Sequence, residues 1–310
     1  MKGEITMKVK SILRTISVLA AGVMAVSSFT ACSGSSSGTS ETTAAASSAA
    51  DASSEKGVLR VGMECAYAPF NWTQVSEEVS NGDTAVPIYG GGGYAYGYDV
   101  MVAKMLAEEF GMDLEVHKVE WDSIGISMDS GEYDCIIAGM GRTSERMLSY
   151  SFTEPYYYRS NCVVVKKGTE LENITGLSDL AGKNVIATTQ LGTGWVPLLE
   201  QIPDVTLGAN YETTAEVFMA LSNETANVAV IDIPTAQSAL LTNTDLKLIT
   251  LADGDTFVGD EEMTNVCIAT RKDDTALRDK LQAAMDAVGL DRDKMNSMME
   301  EAISVQPAAN

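Results

Sequence analysis

Basic residues are scarce in this chain. Lys and Arg number 21 against 43 Asp and Glu, a formal net charge of −22, which argues against partners that need clustered cations, such as nucleic acid or anionic lipid. Histidine is nearly missing. The single His117, between Val116 and Lys118, reads as an exposed strand residue, and no Cys-x-x-Cys pair accompanies it, so a zinc site is not expected. No other metal or organic cofactor is implied. The run Gly90-Gly91-Gly92-Gly93 is not followed by Gly-Lys-Ser/Thr, which removes the phosphate-loop reading and leaves a long hairpin or surface loop over Thr73 to Tyr96. No internal repeat of solenoid period is visible. Beyond residue 31 no apolar run is long enough to span a bilayer. Cys135, Cys162 and Cys267 sit in apolar runs where cysteine behaves as a small hydrophobe. Free buried thiols are therefore expected for these and for Cys65, with Cys162 and Cys267 the first pair to test for a disulfide.

What is present begins with an export signal. Lys2, Lys8, Lys10 and Arg14 precede the apolar run Ile16 to Val26, and small residues lead to Cys32, the pattern of a secretory leader over residues 1–31. Phe29-Thr30-Ala31-Cys32 resembles a bacterial lipobox, with Phe29 where leucine is usual. The resemblance implies that Cys32 carries a lipid and anchors the protein on the outer face of the cell membrane. Residues 32–56 are almost entirely Ser, Ala, Thr and Gly with a few acids. Such a segment buries too little apolar surface to offset its ordering entropy and is expected to be a disordered tether.

From Gly57 onward strand and helix patterns alternate, as in open α/β sheets. Val58–Val61 reads as a strand. Asp99 is placed to cap a helix over Val100–Phe110, and Gly111 closes it. A second series starts near Arg159, with strands at Asn161–Lys166, Asn184–Thr188 and Val228–Ile231. Helices are expected from Trp195, over Thr214–Leu221, and from Pro234 at the first helical position. The tail reads as helices over Thr275–Val288 and Asp291–Ser304.

Side chains suited to a small zwitterion gather at the ends of these strands, where open α/β sheets bind ligands. The segment GEYDCIIAGMGRTSERMLSYSFTEPYY, Gly131 to Tyr157, combines a buried strand, a glycine-loosened turn at Gly139 and Gly141, and a helix expected to start at Thr143. Arg146 would fall in its first turn, where unpaired N–H groups and a planar guanidinium both favour a carboxylate. Glu64, Tyr67, Phe70 and Trp72 follow the first strand, Trp121 opens the next segment, Gln190, Gly192, Thr193 and Gly194 follow the Asn184 strand, and Asp232 ends the Val228 strand. A ligand carboxylate would meet Arg146, its ammonium Asp232, and its side chain the aromatic rings. Each residue also has a plainer role: Arg146 paired with Glu145 or Glu154, Asp232 capping the Pro234 helix, the aromatics in the core.

The motifs GMECAYAPFNW, GYDVMVAKMLAEEFG, WDSIGISMDSGEYDCIIAGM, RTSERMLSYSFTEPYY, QLGTG and VIDIPTA together resemble the family-3 extracellular solute-binding proteins, the polar amino-acid receptors of ABC importers. The resemblance covers Gly57 to Ser304. It implies a two-lobed periplasmic-binding-protein-like fold of type II, α/β, each lobe an open, mostly parallel sheet flanked by helices, with two hinge strands. Lobe 1 would be residues 57–158 plus 265–310, and lobe 2 residues 159–264. The family's carboxylate arginine falls on Arg146 and its ammonium-binding aspartate on Asp232. Its backbone and hydroxyl contacts fall on Gly139, Gly141, Thr143, Thr193 and Gly194, its aromatic sandwich on Tyr67 and Trp121. Glu64 occupies the position that helps hold a cationic side chain in binders of basic amino acids, and specificity is expected from Glu64, Trp121 and Gln190. The implied function is capture of a free polar or basic amino acid by a monomer that delivers it to a membrane permease, without catalysis. The rival is an enzyme on the same fold, a dehydratase of a small cyclic carboxylate.

Overall fold

The computed structural model describes residues 56–259 and 264–307. The leader, Cys32 and all of the tether except Lys56 lie outside the described residues. Two five-stranded sheets form the two lobes, and a smaller four-stranded sheet is attached to the first.

The first sheet is ordered Asp113–Lys118, Val58–Met63, Cys135–Ile136, Asn265–Arg271, Tyr150–Tyr158. The first three strands are parallel, and the last two join antiparallel. The second sheet repeats this plan, in the order Thr206–Leu207, Ile186–Thr188, Val228–Asp232, Asn161–Lys166, Leu246–Ile249. Again two pairings are parallel and two antiparallel, so in each sheet one strand runs against the other four. Residue pattern explains the layering. Leu59, Val61 and Met63 alternate into the core while Arg60 turns out to Asp134, at 2.6 Å. All five residues of Val228–Asp232 are buried, as in a parallel strand covered on both faces.

The chain crosses between the sheets twice, after Tyr158 and before Asn265. The crossings are tied together where the Arg159 backbone N–H donates to the Thr264 carbonyl at 2.7 Å. The segment read as a long hairpin or surface loop belongs to the four-stranded sheet, ordered Ala66–Tyr67, Asn71–Gln74, Tyr94–Tyr96, Val86–Pro87, with each neighbouring pair antiparallel.

Several local expectations need correction. The helix Tyr98–Glu109 is capped at Gly97, not Asp99. Gly97 has φ +125°, and a Cβ there would lie 2.5 Å from the Phe70 carbonyl oxygen, so the close approach requires glycine. Asp99 thereby lies two residues inside the cap, and its carboxylate accepts from Asn71 Nδ2 at 2.7 Å and Tyr156 Oη at 2.6 Å. Asn71 Oδ1 in turn accepts from the Cys65 N–H at 2.7 Å, which holds the loop carrying Glu64 and Tyr67. The helix expected from Thr143 is the four-residue turn Arg146–Ser149. The segment after Trp195 is a 3-10 helix, Val196–Gln201, and Pro234 follows Ile233, the first residue of the helix Ile233–Leu240. His117 is not exposed: its ring stacks on Tyr89 at 4.5 Å and contacts Glu115 at 2.7 Å. Cys65, Cys135, Cys162 and Cys267 are buried free thiols.

Candidate functional site

The carboxyl ends of both sheets face one another across a cleft that is closed by direct contacts. A narrow cavity, partly open to solvent, lies between them and is lined by Glu64, Tyr67, Trp121, Gly139, Arg146, Gln190, Thr193 and Gly194. Eight expected site residues are thus brought together. The other three, Gly141, Thr143 and Asp232, are not among its lining residues. Ala138, Arg159 and Trp195 complete the lining and were not anticipated.

Arg146 is held from both sheets. Its Nη1 donates to the Gly141 carbonyl at 2.9 Å and its Nη2 to the Gly192 carbonyl, across the cleft, at 3.1 Å. Thr143 Oγ1 accepts from the Arg146 N–H at 3.2 Å and so fixes the turn that aims the side chain. The guanidinium lies 5.2 Å from the Trp121 ring centroid, and Trp121 Nε1 reaches the same Gly192 carbonyl at 3.4 Å. Burial, then repulsion from Arg159, lowers the Arg146 pKa to about 10, still charged at neutral pH.

Tyr67 stacks on Phe70 at 4.8 Å and donates its hydroxyl to Asp232 Oδ2 at 2.6 Å. Gly139 makes room for it: φ is +63°, and a Cβ would meet Tyr67 Cε1 at 2.5 Å. Asp232 is fully buried and also accepts from the Thr235 N–H and Oγ1, both at 2.9 Å. It caps the Ile233–Leu240 helix through Oδ1, while Oδ2 is shared by the Tyr67 and Thr235 hydroxyls.

Glu64 is buried, and Gln190 Nε2 donates to its Oε1 at 3.3 Å and to the Glu212 carbonyl at 2.9 Å. Burial, reinforced by Glu120, Asp99 and Glu212, raises the Glu64 pKa to about 7. Thr193 Oγ1 donates to the Gln190 carbonyl at 2.7 Å, pinning the glycine loop. At the first crossing, Arg159 is only 8 % exposed and its guanidinium lies 5.0 Å from the Trp195 ring centroid. Its Nη1 donates to the Gly139 carbonyl at 3.0 Å and the Tyr67 hydroxyl at 3.2 Å. One sequence signal marks it: a cation stands between the aromatic run Tyr156-Tyr157-Tyr158 and the buried strand Cys162–Val165. Among the described residues no His, Cys, Asp and Glu group could hold a metal ion.

With this geometry in view, the comparisons are consistent. The sequence profile of the bacterial extracellular solute-binding proteins, family 3, matches residues 59–296. The arginine-binding extracellular protein ArtP of Bacillus subtilis is 27% identical over 263 residues, 83% of this chain and 85% of that protein. ABC transporter arginine-binding protein 1 of Escherichia coli is 28% identical over 234 residues, 75% of this chain and 86% of that protein. An arginine-bound amino acid ABC transporter substrate-binding protein from Streptococcus pneumoniae superposes with a TM-score of 0.64 at 21% identity, covering 81% of this chain and 97% of its own, which establishes the fold. The chain belongs to the bacterial extracellular solute-binding proteins, family 3.

Proposed function

We propose that this chain is the substrate-binding component of an amino-acid ABC importer, a monomer tethered by lipid at Cys32 to the outer face of the membrane, which captures one free amino acid and delivers it to the permease. The lobes would be residues 57–158 with 265–310, and residues 159–264. The observation that carries the reading is Arg146, a guanidinium on the cavity wall whose present acceptors are carbonyl oxygens from both sides of the cleft. A ligand carboxylate is a stronger acceptor than a neutral carbonyl and would replace them as a bidentate partner. Tyr67 and Trp121 supply apolar walls, and Gly139, Gly141, Thr143, Thr193 and Gly194 shape the two loops around the ligand. Glu64 and Gln190 contact one another from opposite sheets, where they would read the side chain. Because each wall holds part of the site, a ligand touching both stabilises the closed state by its differential affinity for it.

The ligand class is a polar or basic amino acid. The relatives named for arginine support the basic branch, for which Glu64 would be the counter-charge. Titration calorimetry against the common amino acids tests the reading: at least one should bind with a 1:1 stoichiometry, and silence from all of them would remove it. Glu64, with its pKa near 7, is the one observation that favours an enzyme. Turnover of a cyclic carboxylate by the purified protein would establish that alternative.

A further inference from the structure

The geometry points to Arg159 as a second carboxylate-binding position, so that the amino acid taken by this cleft carries two carboxylates, one on Arg146 and one on Arg159. The inference rests on the amino-acid reading above and narrows it to the dicarboxylic members of the polar class.

Arg159 and Arg146 line the same cavity. A buried guanidinium is normally matched by a carboxylate, because leaving its charge uncompensated costs desolvation without return. Among the described residues no carboxylate lies within ion-pair distance of Arg159. The acids nearest in the network are already engaged. Asp232 holds Tyr67 and Thr235, and Asp99 holds Asn71 and Tyr156.

The donors of Arg159 divide into two edges. Nη1 is spent on the Tyr67 hydroxyl and the Gly139 carbonyl. Nε, on the opposite edge, is buried and has no hydrogen-bond partner. Nε and Nη2 form the fork that grips a carboxylate through two parallel N–H donors. Trp195 stacks on the guanidinium and Nη1 is bonded twice, so the fork is held in place before any ligand arrives.

Charge decides between ligand classes. Arg159 already depresses the Arg146 pKa, so the two cations feel each other across the cavity. A basic side chain would bring a third cation beside Arg146 and Arg159, with Glu64 the one carboxylate among the cavity's lining residues to balance the three, and an amide would leave the fork with a neutral acceptor. A second carboxylate satisfies Nε and relieves the repulsion in one step.

The test is titration calorimetry of the mature protein with L-glutamate, L-aspartate, L-glutamine and L-arginine. Glutamate and glutamine are near isosteres that differ in the second carboxylate. The better of the two dicarboxylic amino acids should bind at least about tenfold tighter than glutamine and arginine, as expected where a built hydrogen-bonding site discriminates. Arg159→Gln should abolish that preference, while Arg159→Lys should keep part of it as a point charge. Melting of both ligand-free variants at the wild-type temperature shows that the change lies in the site; where Arg159→Gln does not fold, Arg159→Lys and the wild-type ligand ranking decide. Glutamine or arginine bound as tightly as glutamate and aspartate by the wild type would overturn the inference while leaving the amino-acid reading intact. Binding of no amino acid would overturn both.

Discussion

The two walls of the cleft are built from the same sheet plan yet present opposite chemistry. The first-sheet wall offers aromatic rings and donors: Tyr67 Oη, Trp121 Nε1 and the Arg146 guanidinium. The second-sheet wall answers with acceptors: the Gly192 carbonyl for Trp121 and Arg146, and the Asp232 carboxylate for Tyr67. Glu64 and Gln190 reverse the pattern once, with the acceptor on the first sheet. Fold repetition thus supplies the platform, and loop residues after the strands supply complementarity. Arg146 and Trp121 reach the Gly192 carbonyl across the cleft, and a carboxylate is a stronger acceptor for the guanidinium than a neutral carbonyl oxygen.

Breaking the first wall should have the largest effect. Arg146→Ala removes the charged donor, and ligand affinity should fall by about 3–5 kcal/mol, on the order of a hundredfold or more, in calorimetry. Retained affinity would dissociate the cavity from carboxylate recognition. Breaking the second wall comes next. Asp232→Ala leaves the Tyr67 hydroxyl and both Thr235 donors buried without their acceptor and removes a helix cap, so unfolding by urea should show a loss of about 3 kcal/mol. Small-angle scattering should show a more open ligand-free protein.

The Glu64–Gln190 contact is probed by pH. The Glu64 pKa rises from 4.5 to about 7 on folding, so the folded state holds this proton more tightly than the unfolded state. The associated stability is fully present below pH 4.5 and is lost as pH rises through about 7, up to about 3 kcal/mol. Asp99, raised to about 6 by burial, slopes the same way. Denaturation at pH 5 and pH 8 should therefore show a smaller difference in Glu64→Gln than in the wild type, with the Asp99 share remaining. Equal slopes would mean that Glu64 ionises normally. The smallest effect is steric. Gly139→Ala forces the Tyr67 ring away and strains a positive φ, for a loss of about 2 kcal/mol in stability, with a weaker Tyr67–Asp232 contact.

Legibility from sequence followed the range of the interactions. Strand and helix placement rested on local periodicity, and the strand-end residues Glu64, Tyr67, Gly139, Gln190 and Asp232 all lie where that periodicity located them. Capping was readable at Asp232, which accepts from the N–H three residues on, whereas the caps at Asp274 and Asp291 appear in the structure alone. It misled at Asp99, because a close contact of Gly97 with the Phe70 carbonyl moved the cap back by two residues. The helix expected at Thr143 is the single turn Arg146–Ser149, and the Thr143 hydroxyl accepts from the Arg146 N–H ahead of it.

Read alone, the sequence determined the alternating α/β order, the two series of strands, and Arg146 beside a glycine-loosened turn, since each depends on neighbours a few residues away. Only the tertiary structure decided that Tyr67 meets Asp232 across 165 residues of chain, that Asp232 is not among the cavity's lining residues, and that Arg159 is. Burial of a charge, and the partner left to it, is set by segments distant in sequence that converge at the crossing between the sheets, and no local pattern carries that information.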